Sequence, residues 1–180
     1  MTKKLQIVSF DIPYPPKYGG VIDIYYKIEA LKKQGVKIYL HTFLYDNNTQ
    51  QQKLETLCDE VFYYKRSKSL NFFFSLIPFI ILSRKNRQLY ENINSIDAPI
   101  LFEGLHTCYF LMKNNFKVKT FVRTHNIEHK YYYGLAKSEK NIIRKCFFFL
   151  ESKKLKRFEK NLSKVHGIFK ISPFEQNYFS

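Results

Sequence analysis

Tryptophan is absent from this chain of 180 residues, cysteine occurs three times, and acidic residues number 15 against 30 Lys and Arg. Cys58, Cys108 and Cys146 are scattered, odd in number and without CxxC spacing. That argues against a disulfide framework or a cysteine metal site, and for reduced thiols in a cytoplasmic protein. No apolar run is long enough to cross a bilayer. The longest, within residues 70–82, has about thirteen residues against roughly twenty for a spanning helix, and Pro78 interrupts it. GxGxxG and Walker spacings are missing, so a nucleotide site of either kind is unsupported. Internal repeats and low-complexity tails are missing as well. The opening Met1-Thr2-Lys3-Lys4 runs directly into a strand pattern and leaves no room for a signal peptide.

What remains suits one globular domain with a real core: 45% of residues are apolar. Phe (18) and Tyr (14) are abundant, a bias that AT-rich genomes produce together with Lys, Asn and Ile, so the aromatics alone say little. The net charge of +15 favours an anionic partner, whether a membrane surface, a nucleic acid or a phosphorylated ligand.

Along the chain, strand patterns alternate with helix patterns. Leu5–Phe10 reads as a strand. Val21 to Gln34 reads as a helix with Val21, Ile24, Tyr25, Ile28 and Leu31 on one face, and Gly35 supplies a left-handed stop. Val36–Phe43 is a second strand, 47–52 a polar turn, 52–58 a short helix and Glu60–Tyr64 a third strand. Ala98–Glu103 is a fourth strand, Leu105 to Asn115 a helix, and Val118–Thr124 a fifth strand. A helical tract runs from Glu128 to Lys164, broken near Lys137-Ser138, with Ile143, Phe147, Leu150, Phe158 and Leu162 at helical spacing. Ser138 with Asn141, and Ser172 with Glu175, are candidate helix starts. Gly167–Ser172 closes the series. This alternation predicts an α/β domain, a Rossmann-like, mostly parallel sheet with helices on both faces.

Polar residues gather where these strands end, the side on which open α/β sheets hold ligands. After the first strand, Pro15-Pro16 and Gly19-Gly20 precede a helix. Glycine lets a backbone approach a phosphate or sugar, although a Gly-Gly in a Pro-rich loop is also an ordinary turn. After the fourth strand come Glu103, Gly104 and His106, where His106 either contacts a ligand or caps a helix. After the fifth come Arg123, His125, Asn126, Glu128 and His129. Arg123 suits bidentate binding of a phosphate or carboxylate, unless strand alternation turns it away from His125. Asn126, Glu128 and His129 are candidates for ligand contact or for simple capping. The three histidines lack the cysteine or carboxylate spacing of a metal site.

Four ordered pieces carry a resemblance: Pro15-Pro16 with Gly19-Gly20, Phe102-Glu103-Gly104-Leu105-His106, Arg123-Thr124-His125-Asn126, and Ile171-Ser172. In this order the chain resembles the amino-terminal, acceptor-side domain of a GT-B glycosyltransferase of the retaining, family-four type, over nearly its whole length. The resemblance implies sugar transfer from a nucleotide-sugar to a glycan or lipid-linked acceptor in cell-surface polysaccharide synthesis. It implies that His125 faces the reacting sugar and that Gly19 and Gly20 approach donor or acceptor, with Glu103, His106, Arg123 and Asn126 beside them as candidate substrate ligands. It implies no catalytic metal and no cofactor, the nucleotide-sugar being a co-substrate. It also implies a carboxyl-terminal donor-binding domain beyond residues 1–180, without which this chain is not expected to turn over.

Two basic tracts remain. Lys65, Arg66, Arg84, Lys85 and Arg87 flank the apolar stretch containing Phe73 and Phe74, a pattern of an interfacial segment on the inner face of the plasma membrane, or of a helix packed on the sheet with solvated ends. Lys153 to Lys160 reads as a solvated helix face. Two rival readings stand beside the transferase: a non-catalytic membrane-associated module, and a nucleic-acid-binding module. The second is disfavoured because no RRM, KH or helix-turn-helix pattern appears.

Overall fold

The computed structural model describes residues 3–45, 50–112, 116–170 and 178. Six strands form one all-parallel sheet: β1 (Lys4–Ser9), β2 (Lys37–Leu44), β3 (Glu60–Lys65), β4 (Ile100–Glu103), β5 (Thr120–Arg123) and β6 (Gly167–Phe169). Their order is β3-β2-β1-β4-β5-β6, the doubly wound Rossmann-like arrangement. The α/β expectation is met. Strands β4 and β5 begin two residues later than the sequence suggested, and 47–49 of the polar turn, 113–115 of the fourth-strand helix, and Ile171-Ser172 with the Ser172–Glu175 pair lie outside the described residues.

Strand alternation sends neighbouring residues to opposite faces. Ile7 packs with Val21, Ile24 and Ile28 of α1 (Gly19–Lys33), while the next residue, Val8, packs with Ile81, Phe102 and Leu155 on the other side. Each such fully buried side chain contributes about 1.5–3 kcal/mol. Gly35, at φ +74°, ends α1 as expected, because a left-handed turn there suits a residue without Cβ.

The second face is covered by α3 (Phe79–Leu82), α4 (Arg87–Ser95), a 3-10 segment (Leu105–Met112) and a helical hairpin of α5 (Glu128–Ser138) and α6 (Ile142–Phe158); α2 (Gln52–Leu57) lies on the first. Asn141, not Ser138, caps α6, accepting from the amides of Ile143 and Arg144. The α6 face differs from the periodicity reading. Ile143 and Leu150 are exposed, and the buried positions include Glu151 and Ser152. Both polar groups are satisfied: Glu151 accepts from the Phe79 amide at 2.6 Å and Ser152 donates to the His129 carbonyl at 2.8 Å.

One buried polar chain ties the sheet to α4. The Gln6 amide donates to the carbonyls of Ile93, Ile96 and Ala98, and its oxygen accepts from His41 Nε2 at 3.2 Å. His41 Nδ1 accepts from the Tyr64 hydroxyl at 2.8 Å, which in turn accepts from Asn92. Burial pushes His41 down to about 3, so the folded imidazole is neutral where an unfolded one, near 6.5, begins to bind a proton. The unfolded state therefore binds more protons between those values, and stability falls as pH drops through that window. About 2 kcal/mol should be lost from this group by pH 5. Urea unfolding between pH 8 and 5 should show the loss, and His41→Asn should show a shallower slope. An unchanged slope in the variant would contradict the assignment.

Candidate functional site

The sheet order reverses between β1 and β4, and at the carboxyl ends of those strands the chain leaves a cavity of about 780 Å³. Open α/β sheets place ligands at this switch point because the connections diverge to opposite faces there. Gly19 and Gly20 open α1 at one wall, and His106, His125 and Asn126 line it with Phe10. Five of the residues expected to touch substrate are thus brought together. Glu103 and Arg123 are not among the lining residues, and their positions explain why.

Glu103 ends β4 with no exposed surface. Its carboxylate accepts from Lys27 Nζ at 2.6 Å and lies 3.0 Å from His125 Nε2, so it holds His125 rather than a ligand. Arg123 forms a two-pronged pair with Asp23 (Nε 2.7 Å, Nη2 2.8 Å), which takes up the fork that the sequence left available for substrate. The strand end is the cause: Arg123, the last residue of β5, reaches α1, whereas His125 lies beyond the strand in the bend that faces the cavity. Lys27 bridges Asp23 and Glu103, at 3.0 and 2.6 Å. Burial works to raise the Asp23 carboxyl, but hydrogen bonds from Arg123 and Lys27 outweigh it and hold it below its ordinary range. Asp23, Glu103 and His125 present ligand atoms within 4.8 Å of one another, yet both carboxylates already have cationic partners in Lys27 and Arg123.

Backbone geometry sets the two histidines. Gly104 turns at φ +71°, and a Cβ there would stand 3.0 Å from His106 Nδ1 and 3.7 Å from His125 Cδ2. Phe10 fills the space between, with its ring 5.3 Å from that of His106 and 5.5 Å, edge-on, from that of His125. A Cβ on Gly20 would come within 2.7 Å of the same ring, so glycine is needed where α1 passes Phe10. Burial, then the charges of Arg84, His125 and Arg66, lower His106 well below the usual histidine range. Its Nδ1 is shielded from solvent and lacks a hydrogen-bond partner among the described residues. His129 belongs elsewhere: it is buried against Glu159, 2.9 Å from Nδ1.

The tract expected at a lipid surface folds back on itself. The Ser67 amide donates to the Ser83 carbonyl at 2.9 Å, which brings Arg66 and Arg84 together on the cavity wall. Arg84 is 2% exposed and donates to the carbonyls of Phe10 and Ile80 and to the Tyr45 hydroxyl. Arg66 donates from Nε to Ser83 Oγ at 2.8 Å, with its guanidinium 5.0 Å over the Tyr45 ring. Membrane contact is therefore wrong for Arg84, and Arg66 faces the cavity. Pro78, Ile80, Ile81 and Leu82 are buried in the core, while Phe73, Phe74 and Leu76 stay exposed between Lys65 and Lys85. No helix among the described residues is long and apolar enough to cross a membrane.

Sequence reasoning missed Asp23, Lys27, Tyr18, Tyr45 and Tyr132 at this site. An Asp and a Lys four apart, one turn after Gly19-Gly20, were the available signal for the first two. No family model matches the chain. The chain is similar to an uncharacterized 44.6 kDa protein in the cps region of Klebsiella pneumoniae, 28% identical over 166 residues, 89% of this chain and 43% of that protein. It thus spans less than half the length of this relative.

The Lys27–Glu103 contact should dominate local stability. Removing one partner of a buried ion pair leaves an uncompensated charge and costs about 3–5 kcal/mol. Lys27→Met should lose most of that range, and adding Glu103→Gln should restore part of it. Simple additivity of the two substitutions in a denaturation cycle would show that the pair is not coupled.

Proposed function

We propose that the chain is the acceptor-binding half of a GT-B glycosyltransferase that moves a sugar from a nucleotide-sugar to a glycan or lipid-linked acceptor in cell-surface, capsule-type polysaccharide synthesis. One observation carries the reading: His125, at the end of β5, faces the switch-point cavity beside Gly19-Gly20 and is braced from behind by the buried Glu103. The similarity to a product of a cps region supports the pathway, and its greater length leaves room for a donor-binding domain.

The chemistry follows from the geometry. A carboxylate 3.0 Å from Nε2 requires the proton on that nitrogen, so Glu103 fixes both the tautomer and the plane of the ring. His125 then positions the transferred sugar, and loss of such a positioned group typically costs about 10²–10³ in rate. Developing charge on a nucleotide diphosphate leaving group needs preorganised donors in a water-excluded site, which a second domain closing on this cavity supplies. The half described here folds around its own two-sided core and does not turn over alone.

In a protein that contains both halves, His125→Ala should lower transfer of labelled sugar by about 10²-fold or more with a melting temperature within a few degrees of wild type. Unfolding of the variant would make His125 structural, and retained turnover would remove it from the reaction.

We further propose that Phe73, Phe74 and Leu76, flanked by Lys65, Lys85 and Arg87, rest on an anionic membrane that delivers the acceptor. The support is their exposure: Phe74 is 92% and Leu76 76% accessible. Apolar burial and basic residues both favour an anionic interface. Vesicle sedimentation should show salt-sensitive binding that needs anionic lipid and falls on Phe74→Ser with Leu76→Ser. Equal binding to neutral vesicles would refute it.

A further inference from the structure

Arg66 and Arg84 line the cavity without a carboxylate within ion-pair distance among the described residues, although most other buried charges here are matched. Arg84 is held by neutral acceptors only, two carbonyls and the Tyr45 hydroxyl. Arg66 uses Nε on Ser83, and its two terminal nitrogens have no hydrogen-bond partner among the described residues. The two guanidiniums are near enough that Arg66 adds to burial in lowering Arg84, to about 10, and both act on His106. His106 Nδ1 is likewise unpartnered and shielded. Across the cavity α1 begins with no acidic residue in its first turn and no side-chain cap, leaving its first amides unclaimed by a side chain. Asp23, also on the wall, is neutralised by Lys27 and Arg123, and Glu128 lies 4.0 Å from His106 Nδ1. Asp11 offsets the Arg84 charge only at longer range, and buried positive charge without a paired counter-ion is costly unless a ligand completes it.

We propose that Arg66 and Arg84 form a phosphate subsite, and that the acceptor entering this cavity is a phosphate ester. The inference rests on the acceptor reading given above and specifies its chemistry. Guanidinium forks suit a tetrahedral oxyanion because two donors meet two oxygens at once. Arg84, with four of its five N–H groups on protein acceptors, supplies a fixed charge and its remaining Nη1 hydrogen, not a fork. Arg66, with free terminal nitrogens, closes on the ligand. Tyr18, Tyr131 and Tyr132 on the remaining wall offer aromatic faces to a sugar ring.

Calorimetry on the 180-residue chain tests this with glucose 1-phosphate, glucose and UDP as probes. Glucose 1-phosphate should bind and glucose should not. Arg66→Gln should weaken the phosphate about tenfold or more, whereas Arg87→Gln, an exposed control in α4, should leave it unchanged. Melting curves confirm that each variant is folded, and Arg66→Lys should give a similar loss, since an ammonium cannot reproduce the fork. Binding of glucose 1-phosphate no better than glucose would overturn the proposal, as would equal losses in the Arg66 and Arg87 variants. UDP binding more tightly, with the same Arg66 dependence, would assign the phosphate to the donor and overturn the acceptor assignment. No transfer reaction is involved. Phosphate binding by a protein that contains both halves but transfers no labelled sugar would therefore leave this subsite standing and the transferase reading fallen.

Discussion

The site depends on one buried negative charge. Glu103 is removed from water at the end of β4, and a carboxylate in that position is tolerable only with close partners. Lys27 and His125 are those partners, one from α1 and one from the end of β5. The same lysine reaches Asp23, and Asp23 holds Arg123, so a single network pins α1 to the carboxyl ends of two strands. The position of Gly19-Gly20 relative to His125 is thereby fixed by charge as well as by packing. This is why a site at the rim of a sheet, where apolar contacts thin out, has a definite geometry.

The cavity divides by charge. On the His125 side, carboxylates and cations are matched. On the opposite side, Arg66 and Arg84 are brought in by a backbone hydrogen bond between Ser67 and Ser83 and meet only neutral acceptors. On the reading proposed above, the matched half orients a histidine and the arginine half receives an anion, as a substrate with a sugar at one end and a phosphate at the other requires. The exposed Phe74 and Leu76 belong to the same 65–87 tract, so the segment that supplies the arginines also supplies the apolar surface.

Much of the fold was legible because each strand is a short β-branched or aromatic run bounded by Gly, Pro or polar residues, and α/β alternation leaves few topologies. The cavity histidines were legible because they follow strands directly. What sequence could not show was partnership across the chain. Arg123 looked free for a ligand, yet Asp23 claims it from 100 residues away. Arg66 and Arg84 read as flanks of an apolar segment; only the fold-back turns them inward. Helical spacing groups Ile143 and Leu150 with Phe158 and Leu162, but α6 leaves the first two exposed and buries Glu151 and Ser152, which find partners in the backbone of Phe79 and His129. Periodicity counts apolar residues and is blind to a polar side chain satisfied by distant backbone.

The central claim is that Glu103 holds His125 by accepting a hydrogen bond from Nε2. Nitrogen-15 spectra of the histidine side chains report directly which ring nitrogen carries a proton. The account predicts that His125 Nε2 is protonated and shows a one-bond coupling that weakens or broadens in Glu103→Gln. An unprotonated Nε2, or a ring whose signals are indifferent to Glu103, would contradict it.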